Sequence, residues 1–116
     1  MKYTRLYTGP DGESHFEDIA IVMEDTGGGR PGSKVMKADS IFFRESRTWY
    51  NPDWHHPTHR QFVITLDGEV DIVSGAGVTR RFGPGDVFLA EDMTGRGHMT
   101  RIVQGKPWQV AFIPLE

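Results

Sequence analysis

Residues 54–68 read Trp-His-His-Pro-Thr-His-Arg-Gln-Phe-Val-Ile-Thr-Leu-Asp-Gly. Three of the chain's five histidines sit here, just ahead of an apolar run that Asp67-Gly68 closes. Extended backbone over residues 61–66 puts Gln61, Val63 and Thr65 on one face and Phe62, Ile64 and Leu66 on the other. The mixed face can line a cavity. The apolar face needs cover from another sheet, from the N-terminal strands or from a second subunit, and a homodimer is expected on that ground. Asp67-Gly68 between two such runs predicts a tight hairpin, because its central residues need positive φ.

Downstream the same rhythm repeats. Strands are expected over 69–74, 78–82 and 86–90, separated by Gly75-Ala76-Gly77 and Gly83-Pro84-Gly85. A loop over 91–97 leads to strands over 98–104 and 108–113, split by Gly105-Lys106-Pro107. Upstream, residues 2–7 form a strand that Gly9-Pro10-Asp11-Gly12 ends, and a short strand is expected over 19–23. Residues 27–32 are glycine-rich but lack the Lys-Ser/Thr ending of a phosphate cradle and read as a linker. Residues 34–44 are strand-like, with Ile41-Phe42-Phe43 apolar on both faces and therefore covered on both. Trp49, Tyr50 and Trp54, around Asn51-Pro52, either wall a ligand pocket or pack their loop. No helical stripe exceeds a turn or two, so an all-β sandwich or barrel is expected.

A chain of 116 residues makes one domain, spanning 1–116, with N-terminal strands over 1–44. The absence of cysteine excludes disulfides, thiolate metal sites and thiol nucleophiles. A net charge of -3 gives no electrostatic reason to expect nucleic acid. No apolar run reaches the length of a membrane span and no basic leader is seen, so no membrane partner and a cytoplasmic location are expected.

Residues 54–100 resemble the cupin superfamily, in particular its small single-domain bacterial members. Cupins carry two histidines one residue apart, a glutamate, and a glycine after six more residues, followed by a second motif that opens Pro-Gly-Asp and ends in a histidine. Here Gly68 follows Gln61 at that spacing, so Gln61 stands in the glutamate's place. Pro84-Gly85-Asp86-Val87-Phe88-Leu89-Ala90 matches the second opening, and His98 takes its histidine. His55 falls on the first histidine position and Pro57 on the second, or, with one residue more of spacing, Trp54 and His56 take those places; either way one histidine is missing, and His59 is able to supply that ligand from the face of Gln61. The resemblance implies a double-stranded β-helix, a jelly-roll barrel of two antiparallel sheets. It also implies a divalent metal (Zn, Fe, Mn, Ni or Cu) held by His55, His59, Gln61 and His98.

Three functions are compatible with these residues. The first is a metal-dependent enzyme acting on a small molecule by dioxygenase, isomerase or lyase chemistry. The second is a metal-free enzyme of epimerase, cyclase or dehydratase type, with His59 or His98 as acid or base. The third is a non-catalytic module holding a small ligand against the aromatics. His56 is expected to point away, because its parity opposes that of His55 and His59. His15 reads as a partly exposed surface residue. Glu91 and Asp92 either orient a histidine, act as a base or are simply solvated. Arg44, Arg60, Arg80 and Arg81 are the cations available to an anionic substrate.

Overall fold

The structure, a computed structural model, describes residues 1–25, 27–47 and 53–116. The described residues form strands and no helix. In chain order the strands are β1 Lys2–Thr8, β2 Ser14–Ala20, β3 Phe42–Ser46, β4 Gln61–Asp67, β5 Val70–Val73, β6 Thr79–Phe82, β7 Val87–Glu91, β8 Met99–Ile102 and β9 Trp108–Pro114. They build two sheets, one ordered β2-β1-β7-β4-β9-β3 and the other β6-β5-β8. No helix of the described residues is long and apolar enough to cross a membrane.

Two expectations about connectivity are corrected. Asp67-Gly68 is not a hairpin turn: β4 pairs with β7 and β9, whereas β5 pairs with β6 and β8, so the chain changes sheets there. Gly68 still has the positive φ that the sequence called for, at 73°. It also lies so close to Pro107 that a Cβ would run into that residue's carbonyl oxygen, so the glycine serves a corner between sheets. The turn expected at Gly75-Ala76-Gly77 does join paired strands, β5 and β6. The second correction is that the larger sheet is not wholly antiparallel, because β1 runs parallel to β7. Those strands lie far apart in the chain, which a parallel pair permits and a tight turn could not connect.

The core fills the space between the sheets. Leu6, Val63, Val70, Ile72 and Val110 are essentially inaccessible, and Phe82 meets Phe88 at a centroid distance of 4.7 Å. Burying a side chain of this class stabilises the fold by about 1.5–3 kcal/mol. The Trp108 indole N–H donates to Thr65 Oγ1 at 3.0 Å, so the one polar atom of that ring is satisfied inside.

Parity on β4 is as expected. Gln61, Val63 and Thr65 are buried, and the opposite face is partly open. Tyr3 of β1 packs edge-on against Phe62 with centroids 5.2 Å apart, while Leu66 is 51% exposed. The 34–44 segment departs from expectation. Its strand begins at Phe42, and Ile41 and Phe43 are exposed rather than covered on both faces. The reason is position: β3 is the edge of its sheet, paired only with β9, and only the face carrying Phe42, Arg44 and Ser46 turns toward the interior. The strand expected over 19–23 is instead the end of β2, which stops at Ala20. The strand expected over 98–104 is shorter, β8, with His98 just before it.

Candidate functional site

Between the sheets lies a cavity of about 270 Å³, open at one end. β4, β7 and β9 supply its apolar wall through Val63, Phe88, Trp108 and Phe112, and β8 adds Thr100 and Ile102 from the other sheet. His55, His56, Gln61 and His98 line it, and so does Arg44 from β3.

His98 is held in place by its neighbours. It sits one residue before β8 and forms an isolated bridge with His55, in which each backbone N–H donates to the other's carbonyl, at 3.0 and 2.8 Å. Gly97 permits that approach. Its φ is 76°, and a Cβ on it would collide with the carbonyl oxygen of His55. Ser14, fully buried at the start of β2, secures the same loop: its hydroxyl donates to Gly97 O at 2.8 Å and accepts from Gly75 N–H at 2.7 Å. Arg96 adds a surface clasp, donating to Gly75 O at 2.8 Å and to Glu13 at 3.2 Å with its guanidinium 4.1 Å from the Trp54 ring centroid.

The side chain of His98 is buried, and its Nδ1 lies 2.6 Å from Asp92 Oδ2. Asp92 is fully inaccessible, and its Oδ1 has no hydrogen-bond partner among the described residues. A carboxylate only accepts, so Nδ1 carries the hydrogen and Nε2 is the nitrogen left for the cavity. Strand parity sends Asp92 inward: Phe88 and Ala90 of β7 line the cavity, and Asp92 continues the alternation. Glu91, one residue earlier, faces outward into an ion pair. Arg60 donates to it at 2.6 Å and Arg5 from β1 also donates. Burial alone would push the Glu91 carboxyl up, but the two guanidinium hydrogen bonds outweigh it and the group sits below its ordinary value. Of the two acids, Asp92 orients a histidine and Glu91 joins strands at the surface.

His55 lies against His98, with ring centroids 4.6 Å apart. Its Nδ1 is 2.9 Å from the carbonyl oxygen of Asp53, so this ring too carries hydrogen on Nδ1 and keeps a lone pair on Nε2. Loss of water around the ring pushes its pKa down, ahead of the opposing pull of the Asp53 carbonyl. The residue as a whole is exposed, so only part of the ring is out of water.

The remaining sequence candidates fall as follows. His56 lines the cavity and His59 does not, the reverse of the expectation from parity. β4 begins only at Gln61, so residues 55–60 have no strand alternation to obey; His59 is exposed, with its Nδ1 3.2 Å from Thr58 Oγ1. The four-ligand set of His55, His59, Gln61 and His98 is therefore not brought together. Among the described residues no group of three or more His, Asp or Glu side chains is arranged to hold a metal ion. Trp54 packs beneath Arg96 instead of lining the cavity, and Trp49, Tyr50 and the Asn51-Pro52 turn lie outside the described residues. His15 is partly exposed beside Asp11. The aromatic wall comes instead from Phe42, Phe88, Trp108 and Phe112, a set that strand alternation on β3, β7 and β9 would have revealed.

No family model matches the chain, and no curated protein matches it.

Proposed function

We propose that the protein is a small-molecule enzyme that moves a proton at carbon, as in isomerisation, epimerisation or dehydration, with His98 as the base. The observation that carries this reading is the buried Asp92–His98 pair beside a cavity walled on one side by apolar side chains. The all-β two-sheet architecture supports a double-stranded β-helix as the scaffold.

The two histidines have different environments, and that difference supports different roles. When Nε2 of His98 takes a proton, the imidazolium that forms keeps a carboxylate at Nδ1, which both orients the ring and stabilises its charge. His55 has only a backbone carbonyl at Nδ1 and lies exposed at the cavity, where its Nε2 lone pair accepts a hydrogen bond from substrate. Gln61 offers both an amide donor and an acceptor at the cavity wall, suited to a carbonyl or hydroxyl of the substrate.

A second reading has its own observation. In both His55 and His98, Nδ1 is engaged by a protein acceptor and Nε2 is free, which is the arrangement of imidazoles that ligate a metal. His55, His98 and the Gln61 amide are the residues that would hold such an ion, and it would supply Lewis-acid polarisation of a substrate oxygen. His59 is not part of that set.

Both readings meet in one experiment. A panel of small carbonyl and carboxylate carbon acids is incubated with the protein in deuterated water, and exchange of carbon-bound hydrogen is followed by proton NMR. Exchange that His98→Asn slows by about 100-fold or more, and that a chelator leaves unchanged, is the expected result. Exchange abolished by chelator and restored by a single divalent ion replaces the first reading with the second. No exchange with any member leaves the cavity as a binding site without catalysis.

A further inference from the structure

The cavity contains a cation with no carboxylate opposite it. Of the four arginines that the sequence offers to an anion, three are neutralised. Arg60 donates to Glu91 at 2.6 Å, Arg80 to Asp18 at 2.6 Å, and Arg81 to Asp71 at 2.8 and 3.0 Å. Arg44 makes no ion pair and no side-chain hydrogen bond among the described residues. It is also the one of the four that lines the cavity.

Its placement follows from β3. Alternation turns Phe42, Arg44 and Ser46 to the cavity and Phe43 and Glu45 to the opposite side, so the neighbouring acid cannot neutralise it from within the cavity. The guanidinium lies 5.5 Å from the Phe42 ring centroid and 5.6 Å from that of Phe112, two rings stacked at 5.0 Å with 12° between their planes. Cation–π contact at such distances holds the planar group without using its N–H donors. The charge is thus positioned, and its hydrogen-bonding fork is unassigned. No Asp or Glu occurs among the described residues that line the cavity; the other polar groups there are hydroxyls, the Gln61 amide and imidazoles.

We infer that Arg44 is the anion-recognition residue of this cavity and that its ligand is a small organic carboxylate with an apolar body. The carboxylate takes the guanidinium fork, which matches its two oxygens. The body lies along Phe88, Trp108 and Phe112, within a volume near the lower end of ligand pockets. The inference deepens the catalytic reading and rests on it for taking this cavity as the substrate site. With the carboxylate anchored at β3, a carbon-bound proton elsewhere on the molecule is presented to His55 and His98, which line the same cavity.

The experiment titrates butyrate, benzoate and their two amides into the whole protein, with affinities read from backbone amide shifts in ¹H–¹⁵N spectra. At least one carboxylate is expected to bind about ten-fold or more tightly than its amide, the scale of a hydrogen bond to a charged group. Arg44→Met should remove that preference, Arg44→Lys should keep part of it, and His98→Asn should leave it intact. The same spectra show whether each variant is folded, and an exposed Arg44 leaves little reason for unfolding. Equal binding of carboxylate and amide, no binding by either acid, or a preference that survives Arg44→Met overturns the inference. Carboxylate preference in a protein that shows no hydrogen exchange would sink the catalytic reading and leave Arg44's role standing.

Discussion

Replacing Asp92 tests the centre of the site. In Asp92→Ala, His98 Nδ1–H loses its acceptor at 2.6 Å inside a buried pair. An unsatisfied buried donor costs about 1–3 kcal/mol, and with a lone pair on His98 Nε2 the variant strands no charge. Asp92 Oδ1 already lacks a partner among the described residues, so deleting the carboxyl also relieves a cost, and the middle of that range applies. The expected loss is about 2 kcal/mol, or about 8 °C in Tm for a domain of this size. Asp92→Asn keeps the volume but not the chemistry. If the amide oxygen faces Nδ1, an NH2 group is buried where Oδ1 was; if the NH2 faces Nδ1, two donors meet. Either orientation costs about 1–3 kcal/mol. Thermal melts supply the stability, and ¹⁵N shifts of the His98 ring supply the tautomer. Wild type should show a protonated Nδ1 and a lone pair on Nε2, and Asp92→Ala a mixture of tautomers. A wild-type ring protonated on Nε2 instead, or an Asp92→Ala protein that melts within about 2 °C of wild type, would refute the reasoning.

Gly97→Ala places a Cβ against the His55 carbonyl at a positive φ and should break both hydrogen bonds of the His55–His98 bridge. The expected cost is about 3 kcal/mol in urea denaturation, summing left-handed strain and two lost bonds. Glu91→Gln removes the partner of Arg5 and Arg60 and should cost about 1 kcal/mol, discounted because both arginines are substantially exposed. The depressed Glu91 carboxyl contributes stability above the ordinary carboxylate range that is lost as pH falls through its folded value, so the variant's deficit should shrink in acid. His55 has the opposite chemistry. Its folded pKa lies below the roughly 6.5 of a free imidazole, so the unfolded chain binds its proton first and stability falls as pH drops from about 6.5 toward the folded value. In His55→Asn the stability difference between pH 7.5 and 5.5 should be smaller than in wild type, and an unchanged difference would show that His55 is not desolvated.

Strand positions were readable wherever alternation and glycine turns agreed. The face of β4 that carries Gln61, Val63 and Thr65 followed from period two alone. Asp92 was readable on the same rule, as the inward residue two beyond Ala90, though its partner was not, because the bend between Asp92 and His98 is set by contacts distant in sequence. Asp67-Gly68 shows the limit of local signals: positive φ suits a hairpin and a change of sheet equally well, and only the pairing partners of β4 and β5 distinguish them. Parity failed for His56 and His59 because no strand runs through them. The exposure of Ile41 and Phe43 was hidden for a different reason, since a sequence does not state which strand will lie at an edge.

That edge has one more consequence. β3 is held on one side only, by β9, with Arg44 opposite Val110 and Glu45 opposite Gln109. A slip of a single residue along that ladder would turn Phe43 and Glu45 to the cavity and send Arg44 outside. The composition would be untouched, yet the cavity would exchange a positive wall for a negative one. The sign of its charge is therefore stored in the alignment of two strands as much as in the arginine itself.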